Sequence, residues 1–124
     1  MNQIEHKEQC ALMKWWHFTH QSFGVSEQLL FAIPNGGQRS AITAKNLQAE
    51  GVRAGVPDLM LAVPAFGFNG LFIEMKREQG GVVSQHQKEF IEILNKIGYL
   101  AIVCHGWIEA KCEIEEYLKG FCNG

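Results

Sequence analysis

The chain has 124 residues, of which 47% are hydrophobic and 19% charged, and this composition is ordinary for one globular domain spanning residues 1–124. The formal net charge of −2 argues against a protein that holds nucleic acid by bulk positive charge. No apolar run approaches the roughly 20 residues that a membrane helix needs. The N-terminus is polar and carries two Glu, unlike a signal peptide. We therefore expect no membrane partner and a cytoplasmic location.

Hydrophobic periodicity and turn residues predict eight elements in the order helix, strand, helix, strand, strand, helix, strand, helix. Their bounds are Ile4 to about Phe23, Gln28–Ile33, Ser40–Ala49, Asp58–Val63, Leu71–Arg77, Ser84–Ile97, Tyr99–His105 and Trp107–Leu118. A strand–helix–strand unit favours a parallel pair, and the short Asn-Gly turn between the two middle strands implies an antiparallel hairpin. The fold class is therefore α/β, with a mixed central β-sheet flanked by helices.

The helices carry more detailed signals. In the second helix, Ala41, Ala44, Leu47 and Gln48 are spaced for one face. In the third, Ser84 and Gln87 fit a capping box, and Phe90, Leu94 and Ile97 form the predicted inner stripe.

The first helix contains two adjacent tryptophans, Trp15 and Trp16. One narrow stripe does not bury both, so either both lie in the core or one is exposed and contacts a partner chain. The four cysteines lack Cys-x-x-Cys spacing, which excludes a zinc knuckle, and we expect them to be reduced and mostly buried.

Chemistry is indicated at the predicted hairpin, where Asp58 opens one strand and Glu74 and Lys76 end the other. Alternation places Phe72, Glu74 and Lys76 on one strand face. Two carboxylates on paired strands can hold a hard cation such as Mg²⁺, and a lysine beside them can orient a water or meet charge on a phosphate. The alternative is a Glu–Lys ion pair on the wet face of an edge strand.

The segment Pro34-Asn35-Gly36-Gly37 precedes the second helix. Glycines in this position either form a tight turn or let backbone N–H groups approach a phosphate.

Several motifs together resemble the PD-(D/E)xK nuclease superfamily, and more closely its stand-alone VRR-NUC domains from phages and bacteria. They are Glu5 with Gln9, Ile33 to Gly37 with Arg39, Gly51-Val52, Gly55 to Asp58, Gly70 to Arg77, Ser84 with Gln87, and Gly98-Tyr99. The resemblance covers almost the whole chain and implies a restriction-endonuclease-like fold in the cytoplasm of a bacterial or phage-infected cell.

The resemblance also implies roles for individual residues. Asp58, Glu74 and the Met75 backbone carbonyl would bind Mg²⁺ or Mn²⁺, together with a glutamate of the first helix, either Glu5 or Glu8. Lys76 would be the catalytic lysine. Gln87 would lie beside the site, a role that competes with helix capping without excluding it. Contacts to DNA are expected from Asn35, Gly36, Gly37, Arg39, Arg53 and Arg77.

The function implied is a metal-dependent DNA endonuclease, a homodimer that resolves four-way (Holliday) junctions. Two alternatives stay open: a nuclease of the same chemistry that acts on flaps, nicks or single strands, and an inactive DNA-binding module. An exposed tryptophan of the Trp15–Trp16 pair is the expected centre of the dimer surface.

Overall fold

The structure, a computed structural model, describes residues 1–34 and 40–122. Within these ranges, the helices and strands in chain order are α1 (Gln3–Thr19), β1 (Leu30–Ala32), α2 (Ala41–Ala49), β2 (Leu59–Leu61), β3 (Leu71–Lys76), α3 (Gln85–Lys96), β4 (Leu100–His105) and α4 (Trp107–Leu118). Two short 3₁₀ segments, His20–Phe23 and Glu27–Leu29, connect α1 to β1. No helix in the described ranges is long and apolar enough to cross a membrane.

The four strands lie in the order β1-β2-β3-β4 and form a mixed sheet, which confirms the predicted fold class. β2 and β3 pair antiparallel, whereas β3 and β4 pair parallel through α3. The other strand–helix–strand unit departs from the expected parallel geometry, because β1 and β2 pair antiparallel. Its helix, α2, buries no residue and therefore does not pack as a crossover helix over the sheet.

Strand alternation gives β3 two different faces, as predicted. Leu71, Ile73 and Met75 join the main core under α1 and α4, where Leu12 and Trp16 are fully buried. The opposite face of the sheet forms a smaller apolar cluster under α3, made by Phe72, Leu94 and Ala101 with their partly buried neighbours. Glu74 and Lys76 continue this second face toward the end of the strand.

Several predicted boundaries and stripes are wrong in detail. α1 ends at Thr19 because the chain tightens into a 3₁₀ turn that stops at Gly24, whose φ of 72° is left-handed. β1 is shorter than Gln28–Ile33, since the preceding residues form a 3₁₀ turn. Ile97 is 60% exposed because it lies past the end of α3, and Ile91 packs on the second face instead.

Three further expectations fail because they concern tertiary packing. No residue of the predicted α2 face is buried, and Ile42 is 76% exposed. For the two tryptophans the core alternative is confirmed, because Trp16 is fully buried and the half-buried Trp15 packs on the core, and both rings contact Phe23. The expectation of an exposed tryptophan at a dimer surface is wrong. The four cysteines are free thiols, but Cys104 alone is buried.

The outer edge of β4 is partly covered by side chains. Asn95 of α3 accepts a hydrogen bond from the Ala101 N–H at 2.8 Å and donates one to the Ala101 carbonyl at 3.2 Å. The N–H of His105 is bound by the Glu109 carboxylate. These side chains form hydrogen bonds with backbone groups that could otherwise pair with a further strand.

The loop before β2 is fixed against α3 by Gly55. This residue has a left-handed φ of +85°, and a Cβ there would lie 2.3 Å from the His86 carbonyl oxygen. Only glycine permits this approach of two backbones, which sets where Asp58 lies relative to the first turn of α3.

We expect Gly55→Ala to lower the free energy of unfolding by about 3 kcal/mol or more, because backbone strain and a backbone clash add. Gly51→Ala is the matched control, since Gly51 is also left-handed at +104° but has no atom within 4 Å of the added Cβ. Urea unfolding of both variants measures the difference. Equal losses would show that the contact with His86 does not limit the packing.

Candidate active site

The predicted Glu74–Lys76 pair lies at the end of an inner strand, because β3 is flanked by β2 and β4. Glu74 is 2% exposed and Lys76 is 8% exposed. Lys76 Nζ lies 3.4 Å from Glu74 Oε2, close enough to form an ion pair when Glu74 is ionised. The alternative of a wet edge-strand ion pair is therefore wrong. Burying these groups costs free energy that a surface pair would not cost.

Asp58 enters the same site from the neighbouring strand. The pairing of Leu59 with Ile73 brings Asp58 opposite Glu74, one residue before β2 begins. Asp58 Oδ2 accepts a hydrogen bond from the Met75 N–H at 2.8 Å. Burial raises the pKa of Asp58, although this hydrogen bond opposes the shift.

Glu74 is the more strongly perturbed of the two acids. Burial, together with the charge of Asp58 and a hydrogen bond to it, raises the pKa of Glu74 to about 8. Within the described part of the chain, Glu74 Oε1 is buried without a hydrogen-bond partner. Two facing carboxyls, one with an oxygen that lacks a hydrogen-bond partner, form a donor set that suits a hard divalent cation.

Gln87 serves both roles that its sequence position suggested. Its Oε1 accepts a hydrogen bond from the Ser84 N–H at 2.8 Å and completes the capping box of α3. Its Nε2 donates to Glu74 Oε2 at 3.0 Å. The start of α3 is thereby tied to the carboxylate of β3.

The backbone of Met75 faces the same site. Its N–H points toward Asp58, and the N–H and C=O of one strand residue point to the same side, so the Met75 carbonyl also faces β2. Continuing the register of Leu59 with Ile73 brings Pro57 opposite Met75. Proline has no N–H to donate, so it leaves this carbonyl oxygen available to another partner.

The two glutamates of α1 have different surroundings. Glu5 lies near enough to Asp58 for its charge to contribute to the raised pKa of Asp58. Glu8 instead accepts a hydrogen bond from the Trp107 N–H at the start of α4. Glu5 is therefore the glutamate that the fold directs to the site. Even so, residues 1–34 and 40–122 contain no group of three or more His, Cys, Asp and Glu arranged to hold a metal ion.

A glycine loop covers the lysine. Arg77 Nη2 donates to the Gly80 carbonyl at 3.1 Å, which folds the loop back onto the end of β3. A Cβ on Gly81 would lie 2.9 Å from the Lys76 Cβ. The loop thus packs directly against the base of the Lys76 side chain.

The two described arginines that were predicted to contact DNA make their own hydrogen bonds away from the carboxyl pair. Arg53 is exposed and donates to the Gln48 carbonyl at 3.4 Å, and Arg77 is held by its own loop. Asn35, Gly36, Gly37 and Arg39 lie outside the described residues. The sequence did not indicate the contact of Gly55 with His86, the contact of Gly81 with Lys76 or the effect of Pro57 on the Met75 carbonyl. The Pro57-Asp58 step and the Gly80-Gly81 pair stand out in the sequence, but the residues that they contact lie elsewhere in the chain.

A mixed sheet flanked by helices, with two carboxyls and a lysine at the end of its central strands, defines a protein of the restriction-endonuclease-like class. The VRR-NUC domain family model matches residues 1–107. A solved structure described as a VRR_NUC domain protein superimposes with a TM-score of 0.82 and 28% sequence identity, covering 98% of this chain and 93% of the other. No curated protein matches the sequence. The chain belongs to the VRR-NUC domain family, whose members are generally nuclease domains.

The raised pKa of Glu74 predicts how stability depends on pH in the metal-free protein. The folded state keeps the Glu74 proton up to about pH 8, whereas the unfolded chain releases it near 4.5. The free energy of unfolding should therefore fall as the pH rises through this range, by at most about 1.4 kcal/mol per pH unit for one proton.

Glu74→Gln should make this fall shallower, because the amide does not titrate. Urea unfolding of metal-free protein from pH 5 to 8.5 measures the two slopes. Glu92→Gln is the control, since Glu92 forms an exposed ion pair with Lys96. Identical slopes in wild type and Glu74→Gln would contradict the assignment.

Proposed function

We propose that this VRR-NUC domain is a metal-dependent DNA endonuclease that hydrolyses phosphodiester bonds. The observation that carries the proposal is the cluster of the buried Glu74 and Lys76 at the end of β3 with the half-buried Asp58, which lies opposite Glu74 just before β2. A structural ion pair does not need a second carboxyl beside it. A buried acid with a strongly raised pKa, such as Glu74, next to a second carboxyl and a lysine is typical of catalytic sites.

Asp58, Glu74 and the Met75 carbonyl are the groups that would hold Mg²⁺ or Mn²⁺, with Glu5 as a further ligand. The unpartnered Glu74 Oε1 and the carbonyl opposite Pro57 fit oxygen ligation by a hard cation. When bound, such a cation lowers the pKa of a coordinated water and offsets negative charge on a phosphate oxygen.

Lys76 supplies the positive charge that the protein itself brings to the site. Its ammonium lies on the Glu74 side of the carboxyl pair, where it can orient an attacking water or approach the charge that develops on the phosphate. Gln87 fixes Glu74 Oε2 by its amide, so that carboxylate keeps one orientation. These restraints hold the reacting groups in place before substrate binds.

We further propose that the preferred substrate is branched DNA, with a four-way junction as the leading candidate, and that the active form is a homodimer. Two symmetric copies of the site would cut two strands of a two-fold symmetric junction. The net charge of −2 does not itself favour a junction binder, so DNA binding would depend on local contacts at the site and not on bulk positive charge.

The central test is cleavage of a panel of labelled DNAs with Mg²⁺ or Mn²⁺: a four-way junction, a flap, a nicked duplex, an intact duplex and a single strand. Wild-type protein should cut the junction fastest. Lys76→Ala and Asp58→Asn should each slow cleavage by about 100-fold or more, because removal of one electrostatic catalytic group costs this much in other enzymes. Lys88→Ala, which removes an exposed lysine of α3, is the control.

Each other outcome excludes part of the proposal. Faster cleavage of flaps, nicks or single strands would replace the junction as substrate while keeping the chemistry. A strict monomer by analytical ultracentrifugation at working concentration would contradict paired incision. DNA binding without cleavage in either metal would identify an inactive binding module.

The contact of Gly81 with the Lys76 side chain predicts that a substitution at Gly81 slows DNA cleavage. The φ of Gly81 is not left-handed, so alanine is compatible with its backbone, and the main obstacle is contact with the Lys76 Cβ. Gly81→Ala should displace the lysine and lower kcat by about 10- to 100-fold with little change in KM, and it should also lower Tm, because the Lys76 Cβ is held by the β3 backbone.

Gly120→Ala is the matched control, since its added Cβ would also meet a side chain, the ring of Phe66, away from the site. Cleavage rates of Gly81→Ala and Lys76→Ala, alone and combined, complete the test. Full additivity of the two losses would show that Gly81 does not act through Lys76.

A further inference from the structure

An open cavity of about 400 Å³ lies between the end of β1, the loop before β2 and α3. Its apolar walls come from Ile33, Val52, Val56 and Phe90, and the charged Glu50 and Arg53 also line it. It is distinct from the set of residues assigned above to hydrolysis. Its volume lies within the range of pockets that bind small molecules.

The cavity and the active site are built on the same parts of the chain, namely the end of β1, the loop before β2 and α3. The N–H of Ile33 donates to the Asp58 carbonyl at 2.8 Å. Val56 lies two residues before Asp58, and Phe90 follows Gln87 by about one helical turn. Gly55, between these parts, packs on the start of α3. A DNA strand with a phosphate at Asp58 and Glu74 would therefore have a neighbouring nucleotide within reach of this cavity.

The lining chemistry suits a nucleobase. A half-buried aromatic ring and aliphatic walls can accept the flat face of a base, and Arg53 offers a positive charge to its phosphate. Glu50 partly offsets that charge, and the Arg53 guanidinium already donates a hydrogen bond to the Gln48 carbonyl. Apolar contact with the base would therefore contribute more to binding than the charge of Arg53. Paired bases are stacked inside the duplex and do not reach such a cavity.

We propose that this cavity, defined by Ile33, Val52, Val56 and Phe90 with Arg53 at its mouth, binds one unstacked nucleobase of the DNA substrate next to the cleaved phosphate. This inference rests on the proposed nuclease function and adds to it a means of selecting distorted DNA. A net charge of −2 leaves little affinity from bulk electrostatics, and contact with a base exposed at a branch point supplies affinity that intact duplex lacks.

The test uses binding in a background that does not cleave. Lys76→Ala protein is titrated with a fluorescein-labelled four-way junction and with an intact duplex of the same length. Adding Val56→Phe, which fills the cavity, or Phe90→Leu, which removes the ring and keeps an apolar side chain, should weaken junction binding about tenfold. Duplex binding should stay within about twofold, because paired bases do not enter.

A second readout detects the base directly. 2-Aminopurine beside the cleaved phosphate should lose fluorescence on binding Lys76→Ala protein and keep it with the Phe90→Leu variant. Phe18→Ala, which removes an aromatic ring that is 74% exposed on α1, should change neither readout. Thermal unfolding of each variant checks that the fold is kept.

Several results would overturn the proposal. Folded Val56→Phe and Phe90→Leu variants that bind the junction as tightly as their parent would exclude a base site. A shift in oligomeric state with unchanged junction binding would assign the cavity to a second copy of this chain. Both differ from failure of the nuclease proposal, in which wild-type protein with Mg²⁺ or Mn²⁺ cuts no DNA although the junction is bound.

Discussion

The burial of Glu74 and Lys76 at the end of β3, with the half-buried Asp58 facing them, is the constraint on which the rest of the site depends. These three side chains have limited access to water, so neighbouring groups must satisfy their hydrogen bonds and charges. The Met75 N–H binds Asp58, and the Gln87 amide binds Glu74. Each of these partners belongs to a regular element with its own packing. The site is therefore held by the sheet and by α3 together.

The same strand anchors the main core and presents the polar cluster, because its side chains alternate between two faces. Ile73 and Met75 are fixed under α1 and α4, while Glu74 and Lys76 lie toward α3. A change that loosens the core side of β3 would also move the carboxyl and the ammonium on the other side. Stability and geometry of the site are thus linked through one backbone.

Local patterns in the sequence predicted the parts of this arrangement that depend on short spacing. Alternation placed Glu74 with Lys76, the Asn-Gly turn paired their strand with Asp58, and the Ser84 to Gln87 spacing predicted the cap of α3. Long-range packing was less predictable. The antiparallel direction of β1, the exposure of Ile97 and the burial of Trp16 depend on which surfaces meet, and a periodic pattern does not contain that information. The close approaches of Gly55 and Gly81 likewise depend on residues elsewhere in the fold.

The hydrogen bonds of Asn95 and Glu109 along β4 have a consequence for assembly. The N–H and carbonyl of Ala101 and the N–H of His105 are already hydrogen-bonded to side chains. An added strand could therefore pair with the outer edge of β4 only in part. β1, at the opposite margin, is three residues long. Two copies that associated by pairing edge strands into one continuous sheet would therefore form few hydrogen bonds at either edge. Helix and loop surfaces are the better means by which two such domains could recognise each other.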